Sequence, residues 1–198
     1  TLAGSSAASD VYKRQDITQI GCDYYTGACH KWMCAPKGSS FLYVAKNFQK
    51  GMSPQIMSWG EEGDDPGPSQ FLMDFQWQGT KDMSAFLAIP SAIRFLQKNK
   101  WKEKSVISKS LISDLASRLK DILGTESLFK NKNWIGQMIS HPLPTDTPVN
   151  LKDMLWNDFK IEVPIFDWGK RNFIRVSAHF YNDQKDMDHL IKALKEIF

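Results

Sequence analysis

The sequence has no long apolar run, few cysteines and little excess of either charge. No segment approaches the roughly 18 consecutive apolar residues of a membrane-spanning helix. Its three cysteines, Cys22, Cys29 and Cys34, lie close together, and an odd, clustered set makes a poor disulfide framework. We therefore expect a reducing compartment, such as the cytoplasm. The start lacks a charged region followed by an apolar one, so no signal peptide is expected there.

The charge balance also argues against nucleic-acid binding. The formal charge is +3, from 25 basic and 22 acidic residues, which is too mild to indicate a nucleic acid or an anionic membrane as partner. A nucleic-acid module would need clustered basic residues with exposed aromatics on one face. Here the basic residues lie mostly on amphipathic helical segments, as solvated faces. Apolar residues make up 42% of the chain, a proportion typical of a soluble globular protein.

The first residues differ from the rest of the chain. Residues 1–15 show little periodic pattern, and the string from Ser5 to Gln15 resembles translated sequencing adaptor. We therefore expect a non-native or disordered tail over residues 1–15, with the protein itself starting near Asp16 in the middle of a longer sequence. The alternative is a flexible native N-terminus.

The first half of the remaining chain predicts short strands separated by turns. One strand is expected at Cys22–Tyr25, ended by Thr26-Gly27, and another at Ser40–Val44. Residues 46–70 are rich in glycine, proline, serine and acid, which predicts a long loop. The loose alternation over Phe71–Trp77 favours a further strand.

The second half predicts an α/β layer. A helical pattern opens at Asp82 and is interrupted at Pro90, where a kink or restart is expected. The clearest helix spans Ser105–Gly124, and an amphipathic helix spans Asp183–Phe198. Together with helical spacing after Asn150, these helices alternate with strands, which predicts a small antiparallel or mixed sheet. Those strands are expected at Trp134–Ser140, Ile161–Phe166 and Asn172–Phe180.

Two turns present His30 and Lys31 between strand-like segments. A lysine on a sharp connection between strands has a fixed direction, which suits a reactive amine. Such a lysine needs an unprotonated amine at working pH, and burial and neighbouring charges set its protonation. A His-Lys pair taken alone is more often a solvated pair on a loop.

The surroundings of this pair carry a family resemblance. The stretch Asp-Tyr-Tyr-Thr-Gly-Ala-Cys-His-Lys-Trp-Met-Cys-Ala-Pro-Lys-Gly-Ser-Ser-Phe-Leu-Tyr-Val, from Asp23 to Val44, resembles the lysine region of the class V aminotransferase family. This family belongs to the fold-type I pyridoxal-phosphate enzymes, and the closest resemblance is to its isopenicillin N epimerase-like branch. It implies that Lys31 carries the internal aldimine of pyridoxal 5′-phosphate and that His30 contacts this cofactor.

Two later segments support the same resemblance. The segment from Phe75 to Asp82 is similar to the family's Phe-x-x-x-Gly-Thr-Arg-Asp, which implies that Gly79 and Thr80 bind the cofactor phosphate of the neighbouring subunit in a homodimer. The sequence around Arg175 is similar to a late Arg-x-Ser-x-x-x-Tyr-Asn motif. By this resemblance, Arg175 grips the α-carboxylate of an amino-acid substrate, which suits a planar guanidinium.

The resemblance covers residues 16–198, the C-terminal half of the family's chain. It implies that residues 16–98 are the C-terminal part of the large cofactor-binding domain and that residues 99–198 are a small α/β domain. Two positions depart from the family: Ala28 replaces a phosphate-contacting polar residue, and Lys81 replaces an arginine. The half that holds the partner of the pyridine nitrogen is missing. We therefore expect the full-length parent to be an enzyme and this chain alone to be inactive.

The reaction stays open at this point. Desulfurases of the family carry a nucleophilic cysteine shortly before the substrate arginine, and no cysteine lies between Ser140 and Arg175. Cys29 and Cys34 are interpreted as small packing residues. Epimerisation or racemisation, transamination and C–S lyase action on an amino acid all remain. The alternative is a non-catalytic α/β binding domain derived from this family.

Overall fold

A computed structural model describes residues 2–4, 16–63 and 67–198. The chain divides into two compact units, Thr1–Leu96 and Gln97–Phe198, whereas the boundary predicted from the sequence lies between residues 98 and 99. Of the predicted tail, only Leu2–Gly4 falls within the described residues. Among the residues described, no helix combines the length and the apolar composition needed to cross a membrane.

The first unit contains a three-stranded sheet. Its strands are β1 (Leu2–Gly4), β2 (Tyr24–Ala28) and β3 (Ser40–Val44), in the order β1-β2-β3. Strand β1 runs parallel to β2, and β2 runs antiparallel to β3. The prediction of a strand at Ser40–Val44 is confirmed. The prediction that Thr26-Gly27 ends the preceding strand is wrong, because β2 continues through both residues.

Gly27 belongs in β2 because an aromatic ring covers it. Phe41 is the cross-strand partner of Gly27, and a Cβ atom added at Gly27 would lie 2.6 Å from Phe41 Cε1. The same ring stacks on Tyr25, with the ring centroids 5.8 Å apart. An aromatic ring over a strand glycine supplies the contact that the missing side chain cannot. This glycine is therefore a packing residue and not a strand breaker.

Two short helices interrupt the loop predicted over 46–70, which is otherwise confirmed where the structure describes it, and a helix replaces the strand predicted over Phe71–Trp77. The spacing of the phenylalanines explains this helix, because Phe71 and Phe75 are four residues apart and their ring centroids lie 4.8 Å apart. That is a helical i,i+4 contact. The helices of the first unit are α1 (Ile17–Ile20), α2 (Lys46–Gln49), α3 (Trp59–Glu62), α4 (Gln70–Gln76), α5 (Ser84–Leu87) and α6 (Ile89–Lys98), the last of which crosses the unit boundary.

Local sequence explains where two of these helices begin. The hydroxyl of Ser69 accepts a hydrogen bond from the backbone N–H of Leu72 at 3.2 Å, which caps the start of α4. Helix α6 starts afresh at Ile89 with Pro90 in its first turn, a position where proline removes no helical hydrogen bond. The predicted restart at Pro90 is therefore confirmed.

The second unit has the predicted α/β organisation. Its antiparallel sheet has the order β4-β6-β5, and helices surround its apolar face. Strand β4 begins later than predicted because a 3-10 turn occupies Lys132–Trp134, and Ile161 precedes β5. The elements are α7 (Trp101–Leu123), β4 (Met138–Pro142), α8 (Leu151–Phe159), β5 (Ile165–Trp168), β6 (Arg171–Ser177) and α9 (Gln184–Ile197).

One continuous apolar core holds the second unit together. It is built from the inner faces of α7, α8 and α9 and from alternate residues of β4 and β6. Full burial of a leucine or isoleucine side chain stabilises a fold by about 1.5–3 kcal/mol relative to exposure, so this core is the main stabilising element of the unit. Its most buried members include Ile112, Leu115, Leu119, Leu151, Leu155, Ile174 and Leu194.

Candidate active site

Lys31 lies on the loop that joins β2 to β3. Ala28, the last residue of β2, pairs with Ser40, the first residue of β3. Residues 29–39 therefore leave the sheet and return to it at the same place. Lys31 occupies a bend in this loop, and its side chain is exposed. The predicted presentation of a lysine between two strands is confirmed.

Backbone hydrogen bonds close this loop on itself. The N–H of Cys29 donates to the carbonyl of Ser39 at 3.0 Å, and the N–H of Ala35 donates to the carbonyl of Cys29 at 3.1 Å. The N–H of Cys34 also donates to the carbonyl of Lys31 at 3.1 Å. These bonds fix the backbone on both sides of Lys31, so the direction in which its side chain leaves the loop is set by the fold.

The two cysteines that flank Lys31 differ from each other. Cys29 is buried and packs with Ala35 and with Ala92 of α6, as predicted. The packing prediction for Cys34 is wrong, because this residue is exposed and has a left-handed φ of 60°. Partial burial of its sulfur raises the pKa of the Cys34 thiol. Since the thiolate is the reactive form, a raised pKa lowers the reactivity of this thiol.

His30 carries an unsatisfied polar atom next to Lys31. Its Nδ1 atom is buried and has no hydrogen-bond partner within the described part of the chain. An unsatisfied buried polar group costs about 1–3 kcal/mol, so a ligand oxygen beside Lys31 would remove that cost. The residues of this loop therefore fit a polar cofactor held next to the lysine.

Gly79 and Thr80 form a bend between α4 and α5. Gly79 has φ of 93°, which a residue with a side chain rarely adopts, and Thr80 is exposed. The carboxylate of Asp82 accepts a hydrogen bond from the backbone N–H of Ser84 at 2.8 Å. Hydrogen bonds from Ser84 lower the pKa of Asp82. Gly79 and Thr80 thus form an exposed turn that carries a hydroxyl, and their binding of a phosphate stays a prediction.

Arg175 belongs to the second unit and lies in the middle of β6. It pairs with Ser140 of β4, and its backbone N–H donates to the carbonyl of Pro164 at 2.9 Å. Its side chain is exposed while Ile174 and Val176 on either side are buried in the core. The guanidinium is therefore held on a rigid strand with its head accessible.

The predicted residues thus occupy three places in the chain. His30 and Lys31 are side by side on one loop of the first unit, Gly79 and Thr80 share a second loop of that unit, and Arg175 stands in the second unit. Their joint action in one site stays a prediction. Within the described ranges, no group of three or more His, Cys, Asp or Glu residues could hold a metal ion.

The fold is that of the fold-type I pyridoxal-phosphate enzymes. The apo cysteine desulfurase of Thermococcus onnurineus NA1 matches with a TM-score of 0.78 at 17% identity, over 98% of this chain and 51% of that chain. The profile of the family described as aminotransferase class-V matches residues 6–190. This chain belongs to that family, and pyridoxal phosphate is the cofactor of these enzymes. The predicted family, fold and cofactor are therefore confirmed.

Curated relatives show which part of the family the chain resembles. The isopenicillin N epimerase of Amycolatopsis lactamdurans is 34% identical in an alignment of 197 positions, which covers 92% of this chain and 48% of that protein. The putative L-cysteine desulfhydrase 1 of Oryza sativa subsp. japonica is 25% identical, over 92% of this chain and 42% of that protein. The chain thus spans about half the length of these relatives, and this half is the C-terminal one.

Proposed function

We propose that the full-length protein is a pyridoxal-phosphate-dependent enzyme that acts on an amino acid, with Lys31 as the residue that holds the cofactor. One observation carries this proposal: Lys31 is presented on a closed loop beside His30, whose buried Nδ1 atom lacks a partner among the described residues. Membership of the aminotransferase class-V family supports it.

Each proposed residue has a separate role. The bound cofactor supplies an electron sink for negative charge at the substrate α-carbon. Lys31 would hold the cofactor through Nζ, and its free amine would take the α-proton of the substrate. His30 Nδ1 would hydrogen-bond to the cofactor, while the Gly79 N–H and the Thr80 hydroxyl would bind phosphate. Arg175 would bind the substrate α-carboxylate through two parallel N–H groups.

For the reaction, we propose epimerisation or racemisation first. The support is the 34% identity to an isopenicillin N epimerase. C–S lyase action is the second candidate, supported by the 25% identity to a putative L-cysteine desulfhydrase. Transamination is the third outcome to be measured. A desulfurase that forms a persulfide is disfavoured, because no cysteine lies between Ser140 and Arg175 and the thiol of Cys34 has a raised pKa.

We also propose that this chain is inactive by itself and that the full-length protein is a cytoplasmic homodimer. Support for inactivity comes from its length, since it covers 48% of the epimerase it resembles. Support for a dimer comes from the resemblance of the segment with Gly79 and Thr80 to a family segment. In that family, the segment binds the cofactor phosphate of the neighbouring subunit. The free cysteines, Cys22, Cys29 and Cys34, fit a reducing compartment.

Borohydride trapping tests the central proposal. The full-length protein would be loaded with pyridoxal phosphate, reduced, digested and mapped by mass spectrometry. We expect the label on the peptide that contains Lys31. The Lys31→Ala variant should lose the label, and the Lys37→Ala variant, which changes an exposed lysine of the same loop, should keep it.

Two outcomes would contradict the proposal. One is a wild-type protein with no labelled Lys31 peptide, and the other is equal labelling of the Lys31→Ala variant. Either result would favour a non-catalytic binding domain. If Lys31 is labelled, a panel of amino acids in deuterated water separates the reactions: an inverted and deuterated amino acid indicates epimerisation, a keto acid with transfer of the amino group indicates transamination, and released sulfide indicates lyase action.

A further inference from the structure

The first unit contains a cavity that the proposed cofactor chemistry does not use. Its volume is about 570 Å3, within the range of roughly 300–1,000 Å3 for small-molecule sites. Strands β2 and β3 form one wall, helix α4 forms a second, and the segment from Gln78 to Phe86 forms the third. Its apolar side chains include Leu42, Phe71, Leu72, Phe75, Met83 and Phe86.

A contact between two rings holds part of the aromatic lining in place. Phe71 and Phe75 contact each other on α4 with their centroids 4.8 Å apart. On the opposite wall, the side chains are those of Thr26, Ser40 and Leu42, because the ring of Phe41 lies on the other face of the sheet, over Gly27 and against Tyr25. Rings that are already fixed lose little conformational entropy when a ligand binds. The cavity is therefore preorganised for an apolar body.

Lys81 carries the only charge among the described residues that line the cavity. Its Nζ atom lies 3.4 Å from Gln78 Oε1 and 5.6 Å from the centroid of the Phe86 ring. Neither neighbour neutralises the ammonium group. The adjacent carboxylate, that of Asp82, accepts a hydrogen bond from the backbone of Ser84. Lys81 is thus a cation at an aromatic wall that can accept an anionic ligand group.

We infer that this cavity binds a small carboxylate with an aromatic or bulky aliphatic body. The body packs against the phenylalanine side chains, and the carboxylate pairs with Lys81. None of the lining residues is His30, Lys31, Gly79 or Thr80, so the ligand contacts residues other than those proposed to hold the cofactor. The ligand class follows from charge complementarity together with the size of the apolar lining.

Calorimetry with a matched pair of ligands tests this inference. 4-Phenylbutyrate and its uncharged amide would be titrated into the full-length protein without cofactor. We expect the acid to bind about fivefold more tightly than the amide, as a partly exposed ion pair provides. Lys81→Gln should abolish that preference, while Lys50→Gln, at an exposed lysine outside the lining, should keep it.

A second pair of variants tests the aromatic wall. Phe75→Leu should weaken both ligands by a similar factor, whereas Phe48→Leu, on a ring outside the lining, should leave both unchanged. Circular dichroism identifies any variant that does not fold. Lys31→Ala should bind both ligands as the wild type does, which separates this inference from the proposed enzyme function.

Three results would overturn the inference. The first is no binding of either ligand to the wild-type chain. The second is equal affinity for acid and amide. The third is the same loss of preference in the Lys81→Gln and Lys50→Gln variants, because that would indicate a general effect of net charge. Loss of the borohydride label on Lys31 would leave the inference intact, since the ligand does not contact that residue.

Discussion

The ring of Phe41 covers Gly27 so closely that one methyl group added at Gly27 would lie 2.6 Å from Phe41 Cε1. The two residues face each other across β2 and β3, at the end of the strand pair that carries the Lys31 loop. This contact links the packing of the sheet to the proposed site.

Gly27→Ala should therefore destabilise the first unit. The added methyl group overlaps the Phe41 ring, and overpacking of this kind costs about 1–3 kcal/mol. Urea unfolding followed by a probe in the first unit measures the loss. The double variant Gly27→Ala/Phe41→Leu should recover part of it, since the smaller side chain leaves room for the methyl group. Additive losses in the double variant would show that the two residues do not clash.

Arg175→Ala should impair substrate binding in the full-length enzyme without loss of the cofactor. Removal of a charge-assisted pair that involves a carboxylate costs about 1.5–3 kcal/mol, so we expect KM to rise by roughly 10- to 100-fold. The borohydride label on Lys31 should persist. Arg171→Ala, at an exposed arginine on the same strand, is the matched control. An unchanged KM for Arg175→Ala would contradict the assigned role.

Acidification should destabilise the second unit through His141. This histidine is 1% exposed, and burial lowers its pKa, opposed in part by Thr125 and Glu126. Below the ordinary histidine value of about 6.5, the unfolded chain takes up a proton that the folded chain does not. The contribution of the neutral His141 to the free energy of unfolding is therefore fully present above that pH. It is lost as the pH drops from there towards the lowered folded-state pKa.

Unfolding of the second unit between pH 7.5 and 5 measures the effect. His141→Asn should reduce the slope of stability against pH, even if the variant is less stable overall. His189→Asn, at an exposed histidine, is the control and should keep the wild-type slope. A slope that is identical in the wild type and His141→Asn would show that another group is responsible.

The stability of helix α9 should depend on its N-cap residue, Asp183. Its carboxylate accepts hydrogen bonds from the backbone of Lys185 at 2.8 Å and of Asp186 at 3.3 Å, and the Asp186 side chain bonds back to the cap. Asp183→Ala should lower the free energy of unfolding by about 0.5–2 kcal/mol. Asp183→Asn should lose much less, because asparagine also caps helices well. Equal losses in thermal unfolding would argue against the cap.

The sequence predicted the lysine loop and most of the second unit well, for a physical reason. In helices α7 and α9, apolar residues recur at helical spacing over several turns. Around Lys31, turn-forming residues are followed directly by strand-forming ones, so few other secondary structures fit that segment. The strand at Ser40–Val44 follows from the same pattern, whereas its pairing with β2 is seen only in the structure.

The wrong predictions have two causes. One is a contact with a residue that is distant in sequence, and the other is a helix too short to show a clear periodicity. By its residue type alone Gly27 predicts the end of a strand, and only the ring of Phe41 on the paired strand explains why β2 continues. Phe71 and Phe75 fit alternation over a few residues, and only the pairing of their rings reveals a helix. The cavity around Lys81 was missed for that reason, although an i,i+4 phenylalanine pair was the signal that could have found it.

The contact between Gly27 and Phe41 also specifies the register of the two strands. A slip by one residue would place Phe41 opposite Thr26 or Ala28, both of which have side chains, and would turn every side chain of one strand to the other face. The loop of residues 29–39 would then begin and end at a different pair of strand residues. The position of Lys31 along the sheet edge is thus determined by the one residue of β2 that has no side chain.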